Sequence, residues 1–94
     1  MTPEGKVKEQ VKRIFKDYGF WFFMPVAGPF GRSGVPDFIA CRDGRFVAVE
    51  AKAGKGKTTA LQDATIAEIV GHGGVVWVVN EKNIEEFRQW AAAF

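Results

Sequence analysis

The sequence has little of several features, and each shortage excludes a class of protein. Cys41 is the only cysteine, which excludes an internal disulfide framework and a cysteine-rich zinc site. No apolar run approaches the roughly 18 residues that a membrane-spanning helix needs. The charged N-terminal segment, MTPEGKVKEQVKR, also lacks the apolar stretch of a signal peptide. We therefore expect an intracellular, cytoplasmic protein with no membrane partner.

The chain is also short, which limits the number of domains. Its 94 residues are enough for one small domain and too few for two. Hydrophobic residues make up 47% of the sequence and aromatic residues 14%, so a compact core is feasible at this size. We expect a single domain over residues 1–94.

Charge is small in total but unevenly distributed. The net charge is +2, yet residues 1–57 carry 11 Lys/Arg against 6 Asp/Glu, and residues 58–94 carry 2 against 5. A basic half is typical of a protein with an anionic partner, nucleic acid first. The alternative is a solvated surface whose charge is merely uneven.

The first half of the chain predicts one helix followed by three strands. Thr2 and Pro3 have the pattern of a helix start, and apolar residues then recur at helical spacing until Gly19. The predicted strands are residues 20–26 (FWFFMPV), 35–41 and 45–52, with a glycine-rich loop at 27–34.

The second half of the chain predicts a helix, a strand and a helix. A helix over 59–70 begins with Thr59 and Gln62 at capping-box spacing. The continuous apolar run at 75–79 predicts a central strand, and Asn83 opens a last helix through Ala93. The fold class is therefore α/β, with a mixed central sheet flanked by helices in the order α-β-β-β-α-β-α.

The Asp-Gly pair at 43–44 predicts how two of these strands are paired. A two-residue type I′ turn pairs positions whose numbers sum to 87, so Asp37 and Glu50 become direct cross-strand neighbours. The two-residue period of a strand places Lys52 on the same face. A bulge in the hairpin would shift this pairing.

Two carboxylates in this arrangement need a cation or a shared proton. Directly opposed side chains have Cβ atoms about 5 Å apart, so two charged acids repel each other. Lys52 is one candidate cation, and a divalent metal is the other. Carboxylates, a main-chain carbonyl and waters suit Mg²⁺ or Mn²⁺. The alternative is an ordinary Asp-Lys-Glu cluster on an exposed sheet face.

Four motifs carry a resemblance to a known family. GVPD at 34–37, followed by Glu-Ala-Lys at 50–52, resembles the signature of PD-(D/E)XK nucleases. More narrowly, TPEGKVK, GRSGVPDF, VEAK and a glutamine early in the next helix resemble the VRR-NUC (virus-type replication-repair nuclease) domain. The resemblance covers residues 2 to about 80 and implies a restriction-endonuclease-like core.

The resemblance also implies an activity. It indicates a hydrolase, a Mg²⁺- or Mn²⁺-dependent endodeoxyribonuclease that acts on branched or duplex DNA. Small stand-alone members resemble Holliday-junction resolvases that work as homodimers, and the family suggests a phage or bacterial source. FWFF or the C-terminal WAAAF are candidate dimer surfaces. The alternatives are a nuclease on flaps, ends or plain duplex DNA, and a non-catalytic DNA-binding module.

The site residues follow from the same motifs. The resemblance implies metal carboxylates at Asp37 and Glu50, a catalytic lysine at Lys52, a metal-binding main-chain carbonyl at Ala51, a downstream glutamine at Gln62, and a first-helix acid at Glu4 or alternatively Glu9. We favour Glu4, since it lies within the TPEG motif. Gln62 is also explained by capping alone, and the two roles are compatible.

Loop residues around this site are the candidates for DNA contact. Arg32, Lys55 and Lys57 are predicted to contact phosphates, although loop solubility also explains them. Phe30 lies beside Arg32 in the glycine-rich loop and is similarly placed to meet DNA. The three tryptophans are expected in the core rather than as base-stacking platforms.

Overall fold

The structure is a computed structural model that describes residues 1–26 and 31–94. Phe30, a candidate for DNA contact, lies outside the described residues. The elements are α1 (Pro3–Asp17), β1 (Trp21–Phe23), β2 (Phe38–Arg42), β3 (Arg45–Ala51), α2 (Ala60–Gly71), β4 (Val75–Val79) and α3 (Ile84–Ala93). The predicted order α-β-β-β-α-β-α is confirmed. None of the helices among the described residues is long and apolar enough to cross a membrane.

The four strands form one mixed sheet. They are arranged in the order β1-β2-β3-β4, and β1 and β3 both run antiparallel to β2. β4 returns after α2 and pairs parallel with β3. β3 is therefore an inner strand with neighbours on both sides, as a continuously buried strand requires.

The hairpin between β2 and β3 has the predicted register. Arg42 faces Arg45, and the ladder runs without a bulge to Phe38 opposite Val49. Asp43 and Gly44 have φ values of 52° and 79°, the positive values that a type I′ turn needs at both central positions. The register next places residue 37 opposite residue 50, one step beyond the last paired residues.

Two strands are shorter in the structure than the sequence predicted. β1 covers 21–23 rather than 20–26, and β2 begins at Phe38 rather than at Val35. Pro25 and Pro36 explain the difference, because a proline has no N–H to donate to a strand ladder. Asp37 therefore lies just before β2, at the point where the loop enters the sheet.

One face of the sheet packs against α1 and α3 in an aromatic core. Phe15 of α1 is at its centre, with ring centroids 5.0–5.9 Å from those of Phe20, Phe22, Phe38 and Phe87. The buried residues of this core are Val7, Val11, Ile14, Phe15, Phe20, Phe38, Ala40, Val47, Val49, Ala51, Val79, Ile84, Phe87 and Ala91. This apolar layer holds one face of the β2–β3 hairpin against α1 and α3.

The opposite face is covered less completely. α2 contacts β4 there, and Thr65 is its buried residue, while Leu61 and Val70 remain exposed. On β1, Trp21 and Phe23 are 64% and 47% exposed. The expectation of a core position is therefore wrong for Trp21, because its strand is at the sheet edge and its side chain points away from α1 and α3.

The C-terminal WAAAF segment packs within the chain. Trp90 has ring contacts to Trp77, Phe87 and Phe94, the closest being Phe94 at 4.4 Å between centroids. Arg45 lies over the Phe94 ring at 3.6 Å. This segment therefore contributes to the domain core, and of the two candidate dimer surfaces FWFF is the one with exposed aromatic side chains.

Candidate active site

The β2–β3 hairpin brings two carboxylates together. Glu50 is in the inner strand β3 and is only 4% exposed. Asp37 comes from the loop before β2, and its Oδ2 accepts a hydrogen bond of 2.9 Å from the main-chain N–H of Ala51. This bond anchors the Asp37 carboxylate to the strand that carries Glu50, so the hairpin determines the position of both acids.

The surroundings of Glu50 favour its protonated, uncharged form. The pKa of Glu50 is raised from 4.5 to about 8, first by burial, then by a side-chain hydrogen bond with Asp37 and by the negative charge of Asp37. Lys52 opposes this shift and Glu4 adds to it. Near neutral pH these causes favour the protonated form of Glu50, whereas a cation at the same place would favour its charged form.

Lys52 is positioned beside Glu50 by the end of the same strand. Its Nζ lies 3.9 Å from Glu50 Oε1, and its side chain is 14% exposed. The main-chain N–H of Lys52 donates to the carbonyl oxygen of Val79 in β4 at 2.9 Å. Lys52 is thus anchored through its main chain, and its enclosed ammonium lies next to a buried acid.

Helix α1 contributes further charges through its first two turns. Lys8 Nζ lies 3.6 Å from Glu4 Oε2 and 3.7 Å from Asp37 Oδ1. Glu9, the alternative first-helix acid, pairs instead with Lys12 at 3.2 Å. The structure therefore connects Glu4, and not Glu9, with the carboxylate pair.

Gln62 forms the capping box that its spacing predicted. The Gln62 side-chain Oε1 accepts a hydrogen bond from the main-chain N–H of Thr59 at 2.9 Å. The main-chain N–H of Gln62 donates to Thr59 Oγ1 at 3.2 Å. The loop before Asp37 runs directly past this helix start. A Cβ on Gly34, whose φ is +79°, would lie 2.6 Å from the carbonyl oxygen of Leu61, so only glycine allows the approach.

The predicted DNA-contact residues lie on the surface around this region. Lys55 and Lys57 are exposed in the loop between β3 and α2. Arg32 is exposed as well, and its guanidinium donates a hydrogen bond of 2.8 Å to Glu68 of α2. Arg32 therefore has a protein partner that a phosphate would have to replace.

The donor set fits a hard divalent cation. In residues 1–26 and 31–94 no group of three or more His, Cys, Asp or Glu side chains is arranged to hold a metal ion. What the hairpin brings together is a pair of carboxylates, Asp37 and Glu50, and the Ala51 carbonyl stays a predicted ligand. Carboxylates are oxygen donors, and a divalent cation would take the place of the proton on Glu50.

Sequence reasoning missed Lys8. Its spacing from Glu4 is the i,i+4 spacing of a helical ion pair, which was a usable signal. Its contact with Asp37 was not readable from the sequence, because that contact depends on how α1 lies against the sheet.

A comparison with solved structures identifies the fold. One structure, a "VRR_NUC domain", aligns with a TM-score of 0.79 at 24% sequence identity, over 95% of this chain and 97% of that chain. Neither a protein-family scan nor a search of curated proteins finds a match. The chain therefore has the fold of a VRR_NUC domain, as its motifs predicted.

Proposed function

We propose that this chain, which has the fold of a VRR_NUC domain, is a metal-dependent, structure-specific DNA endonuclease. The observation that carries the proposal is the geometry of the hairpin. Glu50 is 4% exposed, Asp37 accepts a hydrogen bond from the neighbouring Ala51 N–H, and Lys52 Nζ lies 3.9 Å from Glu50 Oε1. Strongly perturbed pKa values cluster at functional sites, so the raised pKa of Glu50 supports the proposal.

The proposed metal ligands are Asp37, Glu50 and the main-chain carbonyl of Ala51, with Glu4 nearby. Mg²⁺ or Mn²⁺ supplies two things to phosphodiester hydrolysis: a lowered pKa for water and neutralisation of phosphate charge. The pair itself binds and orients the cation. Glu50 is buried in β3, while the Asp37 side chain is 22% exposed.

The remaining site residues act on the nucleophile and the DNA. The Lys52 ammonium orients the attacking water or stabilises the negative charge that grows on the phosphate. Gln62 belongs to the proposed site as well as to the capping box. Arg32, Lys55 and Lys57 bind neighbouring phosphates, which would make DNA binding sensitive to salt. We expect cleavage to leave a 5′-phosphate and a 3′-hydroxyl.

The proposed substrate is a four-way junction, cut by a homodimer. Symmetric cutting of two strands needs two active sites, and one chain of 10.4 kDa supplies one. The exposed aromatic side chains of Trp21 and Phe23 support β1 as part of the dimer surface. A phage or bacterial source would fit an enzyme of replication and recombination.

The direct test is a cleavage assay on labelled DNA. Purified protein is incubated with a four-way junction, a flap and a linear duplex, each with Mg²⁺, Mn²⁺ or EDTA. We expect the junction to be cut with either metal and left intact in EDTA. Asp37→Ala and Lys52→Ala should each lower the rate by at least about a hundredfold.

Three outcomes would contradict parts of the proposal. Cutting that survives EDTA or both substitutions would exclude a metal nuclease at this site. Equal cutting of all three DNAs would leave a nuclease without junction specificity. Binding to DNA without cutting under any condition would favour the non-catalytic DNA-binding module.

A further inference from the structure

Lys8 is the charged side chain near the carboxylate pair to which the family motifs assign no role. It lies one helical turn after Glu4 on α1, and its ammonium stands between two acids, 3.6 Å from Glu4 Oε2 and 3.7 Å from Asp37 Oδ1. Asp37 Oδ2 is already occupied by the Ala51 N–H. Lys8 thus lies beside the other carboxylate oxygen of Asp37, Oδ1.

The contact is electrostatic rather than a close hydrogen bond. A charge-assisted N–H···O bond is about 2.7–2.9 Å long, and both Lys8 distances exceed that range. The Lys8 side chain is also 31% exposed, on a flexible four-carbon stem. Its ammonium can therefore exchange Asp37 for another anion at little cost.

Lys52 differs from Lys8 in how enclosed its side chain is, although its ammonium contact is no shorter, at 3.9 Å from Glu50 Oε1. Its side chain is 14% exposed, and its main chain is bonded to β4. A cation that binds at Asp37 and Glu50 repels both ammonium groups, but Lys8 is the one with room to leave. The anion that accompanies such a cation is a DNA phosphate, which attracts a displaced ammonium.

We propose that Lys8 is a displaceable cation: it occupies Asp37 when no metal is bound, competes with a divalent cation for that carboxylate, and moves to a DNA phosphate once displaced. This inference rests on the proposed function, because it requires a divalent cation at Asp37. Lys8 is a positioning residue in this account, since it acts through Asp37 and the DNA backbone.

The chain offers a matched control in Lys12. Lys12 lies one turn further along α1, is 32% exposed, and pairs with Glu9 at 3.2 Å. Lys8→Met and Lys12→Met therefore remove the same charge, from the same helix and at the same exposure. Only the first removes a charge from the carboxylate pair. Lys8→Arg keeps the charge.

The first measurement is Mn²⁺ binding without DNA, by calorimetry, on the wild type and all three variants. Removing a positive charge about 4 Å from the site should tighten Mn²⁺ binding by about tenfold in Lys8→Met. Lys12→Met and Lys8→Arg should stay within about twofold of wild type. A melting curve for each variant confirms that it is folded, so that a change in binding is not a loss of structure.

The second measurement is the salt dependence of DNA binding in Ca²⁺, on an uncleaved four-way junction. Lys8→Met should reduce the slope of log K against log salt by about one, as loss of one phosphate contact predicts. Lys12→Met should leave the slope unchanged.

If Lys8→Met and Lys12→Met have the same Mn²⁺ affinity or the same salt slope, the inference is overturned. The nuclease proposal would stay intact. A wild-type protein that binds no Mn²⁺ would overturn both.

Discussion

The two faces of strand β3 carry different kinds of side chain. Val47, Val49 and Ala51 point to one face and are fully buried among the side chains of α1 and α3. Ala48, Glu50 and Lys52 point to the other face, where the buried groups include charged ones. The same backbone therefore carries stability on one side and candidate chemistry on the other.

This difference shows how a small domain keeps a buried acid. Burying a charged carboxylate without a partner costs free energy. The raised pKa of Glu50 favours its protonated, uncharged form, which avoids most of that cost. The burial of apolar side chains on the other face of β3 offsets the rest of the cost. Stability and chemistry should therefore respond to different substitutions, and the following predictions test that separation.

The largest expected effect is on the apolar face. Phe15→Ala removes a side chain that contacts four other phenylalanine rings, so the free energy of unfolding should fall by about 3–5 kcal/mol. Urea unfolding measures the loss. Trp21→Ala is the matched aromatic control on the exposed side, and a comparable loss there would contradict the assignment of the two faces.

The next effect concerns the pH dependence of stability. The pKa of Glu50 is about 8 in the folded protein and 4.5 ordinarily, so between these values the folded state binds a proton that the unfolded state has lost. The contribution of Glu50 to stability is complete below pH 4.5 and disappears as the pH rises through 8. Without divalent cations we expect the free energy of unfolding to fall by about 3–4 kcal/mol from pH 5 to pH 8.

Glu50→Gln supplies the control, because an amide mimics the protonated acid and does not titrate. Urea unfolding in EDTA at a series of pH values should show a flatter profile for this variant. A wild-type profile with the same slope as that of Glu50→Gln would show that the buried acid does not hold its proton.

The smallest effect distinguishes the two roles of Gln62. Gln62→Ala removes the capping box and should lower the free energy of unfolding by about 1 kcal/mol. Gln62→Glu keeps the box and should keep that stability. If Gln62 also serves the proposed site, both variants should cut DNA about tenfold more slowly. Wild-type cleavage by Gln62→Glu would limit Gln62 to capping.

The pairing of β2 with β3 was predictable from the sequence for a specific reason. The Asp43-Gly44 turn permits one register, and that register puts residues 37 and 50 opposite each other. The element order followed from hydrophobic periodicity and from helix caps such as Thr59. These signals are local, so a single sequence contains them.

Features that depend on packing were not predictable. The exposure of Trp21 depends on which face of an edge strand is covered, and the periodicity of a three-residue strand does not contain that information. The contact of Lys8 with Asp37 depends on the placement of α1 beside the sheet. β2 begins late because Pro36 has no N–H to donate to the strand ladder. The apolar pattern of residues 35–41 had predicted a longer strand.

The central claim is that Asp37 and Glu50 bind a divalent cation in place of a shared proton. Calorimetric titration with Mn²⁺ at pH 7, in two buffers of different ionisation enthalpy, counts the protons released on binding. The account predicts release of about one proton in the wild type and almost none in Glu50→Gln. Binding without proton release in the wild type, or no binding at all, would contradict it.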